Sequence, residues 1–574
     1  NLNNKDWAIV KITNNSKVIT NTSRNHLGLI IDSGSELEVQ NNQLLENTSF
    51  LKIDGHIDLV GESQLIQTET SDLATSSLGY VERDQKGKSS KYHYNYWSSP
   101  VSPINGLNNN LDYRLLDVLR DGTNSNTPSE IIFNSSGYDG ASTSPISIAD
   151  YWVFTFRNTS DNYSNWLQVR STGNIRVGEG YTMKGTGASN DYQNYVFKGK
   201  PNNGIIERAI GGDNIYLLGN PYLSALDANS FIMDNLGTNP VINGTLYFWE
   251  HWGGESHVLS DYEGGYATYN LLGGVMAVSS PMVSNNGSGS IQPKRYIPVS
   301  QGFFVKGDVD GGVVKFDNSQ RVFKKESEGG SVFFRNSETS NEVENDVGRI
   351  YFEFKTPEGA IRELLLGVKS DLTMGVDNGY DGECIEVTHT DCSWGINSNQ
   401  YVIQGIGTIH NNLELPLIIK VGTSGISNFS IRQITNINPE LNIYLRDKEL
   451  NIDTELNVNI HTDINLPSGT YRDRFYVVFM LKEVLDIPDN IVKGNDVLVY
   501  YNTSKNSIII SSETPFNAKG IKIYNVLGQL IFDFNNKYQQ TNHINLPVNI
   551  TQGSYVLSFI HDDKNQINEK IIIR

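Results

Sequence analysis

Ile521-Lys522-Ile523-Tyr524-Asn525-Val526-Leu527-Gly528-Gln529-Leu530-Ile531-Phe532 is the stretch on which the fold class turns. Short apolar runs flank Leu527-Gly528-Gln529, as the two strands of a hairpin require, and Gly528 stands where a tight turn needs positive φ. Further on, Gly553-Ser554-Tyr555 opens a strand that places Tyr555, Leu557 and Phe559 on one face. Strands are expected at 497–501, 507–511, 521–524, 529–534, 543–546, 553–559 and 567–573. They predict a small antiparallel, immunoglobulin-like β-sandwich over residues 496–574. Its last strand leaves an open edge that a partner can extend or clasp.

The same logic runs upstream. Over residues 1–75, units such as Leu29-Ile30-Ile31-Asp32-Ser33-Gly34-Ser35-Glu36-Leu37-Glu38-Val39 and Phe50-Leu51-Lys52-Ile53-Asp54-Gly55-His56-Ile57-Asp58-Leu59-Val60 recur. The step is roughly twenty residues, which suits rungs of a short β-solenoid, each unable to bury its face alone. Residues 76–325 carry strand candidates at 92–97, 151–156, 166–169, 181–184, 195–198, 215–218, 245–249 and 302–305, punctuated by Asn220-Pro221 and Gly264-Gly265. They predict a large β-sandwich with long loops. A polar stretch at 324–345 reads as a linker, a second sandwich is expected at 346–490, and 487–495 is a second joint. The expected architecture is all-β and multidomain, with a solenoid-like N-terminal segment, β-sandwich domains and the C-terminal sandwich.

Composition agrees. The 574 residues exceed one ordinary core, and 52 glycines and 29 tyrosines favour strands and turns over helices. A net charge of −19 repels phosphate backbones and excludes nucleic acid as a natural partner. No apolar run approaches the ~20 residues of a membrane helix. The chain opens at Asn1-Leu2-Asn3 with neither initiator Met nor signal peptide, as expected of a mature or truncated product. Cys384 and Cys392 are the two cysteines. They either close a hairpin disulfide in an oxidising compartment or remain buried thiols.

Three polar or aromatic constellations are candidates for binding. Asp371, Asp377, Asp381 and Glu383 lie in an Asp- and Gly-rich run able to wrap a hard cation, calcium being the candidate cofactor. The alternative is a turn held by its own Asx hydrogen bonds. Asp308-Val309-Asp310-Gly311-Gly312 reads as a hairpin turn before it reads as a cation loop, and His251, Glu255 and His257 read as a loop with solvated histidines. Trp249, Trp252 and Tyr262 lie in an aromatic, Gly-rich stretch that is either a platform for glycans or core packing. There is no Gly-x-Ser-x-Gly elbow, His-Glu-x-x-His or phosphate loop, so a non-enzymatic role is expected.

The last eighty residues also resemble a family. Tyr524-Asn525-Val526-Leu527-Gly528-Gln529-Leu530, Gly553-Ser554-Tyr555 and the basic end from Lys570 to Arg574 are similar to the C-terminal sorting domain (type A) of Bacteroidetes type IX secretion substrates. One landmark departs: Tyr500-Tyr501-Asn502-Thr503 stands where the family usually has Tyr-Pro-Asn-Pro. On this resemblance Tyr524, Gly528, Gln529, Gly553, Tyr555 and Lys570 carry the sorting signal. It implies Sec export, passage through the type IX outer-membrane translocon, capture by a PorV-type shuttle barrel and trimming by a sortase-like protease. Localisation at the cell surface or outside the cell, in association with the outer membrane, follows. The expected work is adhesion or surface architecture, gliding motility included. The alternatives are a glycan-binding or polysaccharide-processing surface protein and a stably bound accessory subunit of the secretion or gliding apparatus.

Overall fold

The computed structural model describes residues 7–40, 42–329, 347–481, 497–502, 506–561 and 565–573. With 53 % of the chain in strands and 5 % in helix, it is the all-β protein that the sequence predicts. The chain divides into two compact units, Asn1–Lys482 and Glu483–Arg574. The stretches expected at 1–75 and 76–325, and that at 346–490 as far as Lys482, therefore fall within one unit. The linkers expected at 324–345 and 487–495 lie largely or wholly outside the described residues.

The first unit begins as a solenoid of two parallel sheets. Ile9–Ile12, Arg24–Ile31, Leu44–Ile53 and Gln64–Gln67 stack in one. Lys17–Thr20, Glu36–Val39, His56–Leu59 and Tyr80–Lys88 stack in the other. In-register columns such as Leu37, Ile57 and Val81 fill the space between them. The solenoid does not stop at residue 75. Tyr80–Lys88 is its last parallel rung and pairs antiparallel with Tyr192–Pro201, so one eight-stranded sheet continues into the following residues. Trp97, Tyr195 and Phe197 share a core with Leu29, Leu51 and Leu59. The physical reason is that a few rungs cannot bury their own end, and the antiparallel strand caps it.

Next comes a five-stranded antiparallel sheet in the order Ile215–Gly219, Gly302–Gly307, Ile242–Gly253, Glu263–Asn270, Gly273–Val275. The α-helix Ala228–Leu236 covers one face, burying Phe231 and Ile232 against Phe248 and Phe303. Asp227 caps the helix by accepting from Asn229 N at 3.0 Å. The same carboxylate receives Arg295 at 2.9 and 2.8 Å. An eleven-stranded sheet follows, from Gly348–Lys355 to Gly469–Leu481. Strands far apart along its path, carrying Leu445 and Ile464, share one core, so the sheet curls on itself into a sandwich.

The second unit has its own core, with Ile508, Ile523, Leu557 and Phe559 buried. The separate strands expected at 507–511 and 521–524 are one bent strand, Ser507–Asn525. Register shifts between Ser511 and Ala518 and between Lys519 and Lys522 turn it, so that it pairs with Val497–Asn502, Leu530–Phe534, Tyr538–Pro547 and Gly553–His561. Gly528 has φ +79°, as its turn demands.

Candidate functional site

The strand Ile242–Gly253 separates two environments by simple alternation. Leu246 and Phe248 face the helix, whereas Tyr247 and Trp249 join a second cluster with Tyr96, Phe156, Leu217 and Phe304. That second cluster lines the floor of a cavity of about 210 Å³. Tyr96 stacks on Trp249 at 6.0 Å and 14°, and Trp249 meets Tyr266 at 5.1 Å. The phenol oxygens of Tyr96 and Tyr266 lie 3.0 Å apart and satisfy each other. Phe156 packs edge-on against Trp166 and Phe304 at 5.3 and 5.6 Å. The floor is buried, while Asp161, Tyr163 and Met282 on the lining are exposed and form the mouth.

Glu386 is the polar feature of this cavity. Ser280 Oγ donates to its Oε1 at 2.7 Å. Its Oε2 is enclosed and accepts no hydrogen bond, although the residue as a whole is half-buried. Burial raises this carboxyl to about 7, and the neighbouring Asp161 adds like-charge repulsion. Asp161 is itself raised by desolvation. Among the described residues, no lysine, arginine or histidine is on the lining.

Against three of the lining rings, but not itself on the lining, Lys184 is enclosed, 2 % exposed. Its Nζ sits 3.7 Å from the ring centre of Trp152, 4.6 Å from Tyr262 and 4.7 Å from Tyr94. It donates to Tyr262 OH at 2.8 Å and lies 3.1 Å from His257 Nδ1, whose Nε2 is 2.7 Å from Asp139. Burial lowers the Lys184 ammonium to about 7, while the Asp139 carboxylate pulls it the other way.

The aromatic expectation is thus met in part of its geometry. Trp249 and Tyr262 line the cavity, but Trp252 packs with the opposite, helix-side cluster. Of the stretch expected as a loop with solvated histidines, His251 belongs to the end of a strand, is 2 % exposed and stacks on His93 at 4.5 Å, whereas Glu255, exposed, and His257 lie in the loop beyond it. Tyr96 and Glu386 were not singled out for binding by sequence. The available signals were the aromatic density of Tyr94-Asn95-Tyr96-Trp97 and Glu386, one of two carboxylates inside the Cys384–Cys392 segment.

The four carboxylates of the Asp- and Gly-rich run do not form one cluster. Asp371 pairs with Lys369, and Glu383 receives Lys306 at 2.6 Å. Asp377 accepts from Thr373 N at 2.7 Å. Asp381 accepts from Asp377 N at 2.6 Å and Gly405 N at 2.7 Å. Burial raises Asp381 to about 7 against the pull of those two amides. In the second run, Gly311 N donates to Asp308 O at 2.9 Å with Gly311 at φ +62°, which is the hairpin turn.

The disulfide expectation is corrected: Cys384 and Cys392 are free thiols. Glu383 and Trp394 both pair with Tyr401, from opposite sides, so the strand Asn399–Ile406 stands between the two cysteine segments. Two strand spacings are about 9.5 Å, beyond the 4.4–6.8 Å that a disulfide spans between Cα atoms.

A carboxylate cluster that sequence reasoning missed lies on the solenoid. Glu36, Glu38 and Asp58 bring one oxygen each within 4.8 Å of one another. Lys17 bridges Glu36 at 2.7 Å and Glu38. Parallel in-register stacking places Glu38, Asp58 and Glu82 in one row.

In the second unit Tyr524, Gly528 and Gln529 build one hairpin. Asn525 N donates to Gln529 O at 3.0 Å and Gly528 N to Asn525 O at 3.0 Å. Asn525 Oδ1 also accepts from Gln529 N at 2.9 Å. The tip leaves Val526 and Leu527 73 % and 80 % exposed. Gly553 starts its strand opposite Ile573, and Lys570, exposed, lies opposite Val556. Tyr555 is buried and donates to Thr551 O at 2.9 Å. Arg574 is outside the described residues.

Comparison with known proteins adds two matches. Residues 117–479 match the family described as Domain of unknown function (DUF8693), and residues 498–574 match the secretion system C-terminal sorting domain. No curated protein and no solved structure matches the chain.

Proposed function

The chain belongs to the family described as Domain of unknown function (DUF8693), and from that premise we propose that it is an exported, non-enzymatic binding protein whose aromatic cavity is the ligand site. Export itself follows from the C-terminal sorting domain: the chain is a type IX secretion substrate, directed to the cell surface or released. The observation that carries the binding reading is a preformed aromatic floor with an enclosed carboxylate oxygen, Glu386 Oε2, that no protein donor satisfies. An aromatic cavity with a carboxylate on its lining has the mostly apolar character, with a few polar groups, of a small-molecule site.

The work this supports is attachment at the surface, as an adhesin or a structural surface protein. The sorting-domain resemblance brings the outer-membrane translocon, a PorV-type shuttle barrel and a sortase-like protease as its partners in transit. A glycan terminus is the second reading for the cavity, favoured by the Trp249 and Tyr262 side chains on its lining.

The test uses the full chain on a panel of small molecules and oligosaccharides. Glu386→Gln should lose the retained ligand and Trp252→Phe, on the other face, should keep it. The ligand should be recovered unchanged after long incubation. Retention unaffected by Glu386→Gln would move the site elsewhere, and turnover would replace binding with catalysis.

A further inference from the structure

The cavity lining has a one-sided charge. Among the described residues on the lining, the ionisable side chains other than tyrosine are Asp161 and Glu386; the cations that attract them, Lys306 and Arg362, stand outside the lining and are already paired with Glu383 and Asp391. Aromatic faces carry partial negative charge, so the floor adds to the same sign. A protein with net charge −19 reinforces it at long range. Such a cavity disfavours anions. It favours a ligand that brings positive charge and apolar surface together. Aromatic faces with a nearby carboxylate are what an alkylated ammonium requires, because it gains cation–π attraction and donates few hydrogen bonds.

The molecule already uses this chemistry once. Lys184 Nζ is held among Trp152, Tyr262 and Tyr94 at 3.7, 4.6 and 4.7 Å. These three rings belong to the cavity lining too, so that end is served by an internal ammonium. The free end is where Glu386 lies. Glu386, Tyr96, Trp249 and Tyr266 line the same cavity, and Tyr96 stacks on Trp249. There Oε2 has no hydrogen-bond partner, and the cation that attracts the carboxylate, Arg362, is already paired with Asp391.

Resting on the reading of the cavity as a ligand site, we propose that its ligand is an organic cation, with a quaternary or alkylated ammonium group seated on Tyr96, Trp249 and Tyr266 against Glu386. At about 210 Å³ the cavity is smaller than the roughly 300–1,000 Å³ that encloses a whole drug-sized molecule. It takes the cationic terminus of a larger ligand, and the rest leaves through the mouth beside Asp161 and Tyr163.

The experiment titrates the full chain with choline, with its neutral carbon isostere 3,3-dimethylbutan-1-ol and with a neutral disaccharide, cellobiose. Quenching of tryptophan fluorescence is the readout, since Trp152, Trp166 and Trp249 line the cavity. Choline should quench saturably, and the isostere should bind about tenfold more weakly. Glu386→Gln should weaken choline by about tenfold while leaving the isostere within about twofold. Equal binding of choline and isostere overturns the cation and leaves the cavity as an apolar ligand site. Quenching by cellobiose without choline also overturns it, in favour of a glycan. If none of the three quenches, both the cation and the ligand-site reading fall.

Discussion

Arg362 and Asp391 form a buried ion pair, with Nε–Oδ1 at 2.7 Å and Nη2–Oδ2 at 2.8 Å, and the aspartate side chain fully enclosed. Asp391 also accepts from Thr388 N at 2.7 Å and Cys392 N at 2.9 Å, so it fastens the 384–392 segment that carries Glu386. Removing one partner strands the other charge. Asp391→Ala should cost roughly 3–5 kcal/mol in urea denaturation, and Arg362→Leu with Asp391→Leu should recover most of that loss. Asp58 gives a pH signature. Burial raises it to about 7, with Glu82, Asp84, Glu38 and Glu36 adding repulsion. An unfolded aspartate titrates near 3.9. The native state therefore holds the proton more tightly, stability falls as pH rises from about 4 to about 7, and the penalty stays above that range. Asp58→Asn should raise Tm at pH 8, with the gap to the native chain closing towards pH 4 in thermal melts.

Among the elements, the solenoid corner shows how small residues set the stacking distance. A Cβ on Gly55 would lie 2.1 Å from Ser35 O, and one on Gly79 would lie 1.9 Å from Gly55 O. Both approaches are backbone to backbone, so no side chain can yield. Gly55→Ala should destabilise by roughly 1–3 kcal/mol, read as a lower urea midpoint. The Asp- and Gly-rich run makes the opposite case, of polar groups already engaged. Calcium there would have to displace Lys369 from Asp371 and Lys306 from Glu383. The expected result is the same Tm in calcium and in chelator, and a rise with calcium alone would restore the cation site. In the sorting domain, one long strand does the work expected of two. The sequence between its halves, Glu513-Thr514-Pro515-Phe516-Asn517-Ala518-Lys519-Gly520, looks like a loop because Pro and Gly punctuate it. The chain bends there while staying paired, through register shifts that periodicity does not report.

At the scale of the whole molecule, the two units have separate cores, and the export signal lies in the second. Deleting residues 498–574 should leave the thermal transition of the first unit where it is and keep the protein inside the cell. Fractionation with a blot against the first unit checks it, and undiminished export would overturn the assignment of the signal. The same division separates tasks: addressing belongs to the last unit, and the proposed binding belongs to the first.

By itself the sequence determined the all-β class, the solenoid character of the first residues and the sorting domain with its Gly528 turn. These are local properties: alternation with period two, a recurring rung length and a glycine at positive φ are each written within a few consecutive residues. Only the tertiary structure decided that the solenoid continues into the next sheet, that Cys384 and Cys392 are separated by a strand, and that an aromatic cavity exists. Tyr96, Trp249 and Glu386 come from three distant segments, and nothing in their spacing announces that they meet. Trp249 and Trp252 read alike in sequence, yet strand parity and the register shift between His251 and Gly253 send them to opposite faces. Which side of a sheet a residue serves is set by its partners across the fold, and those partners are what a single sequence leaves unstated.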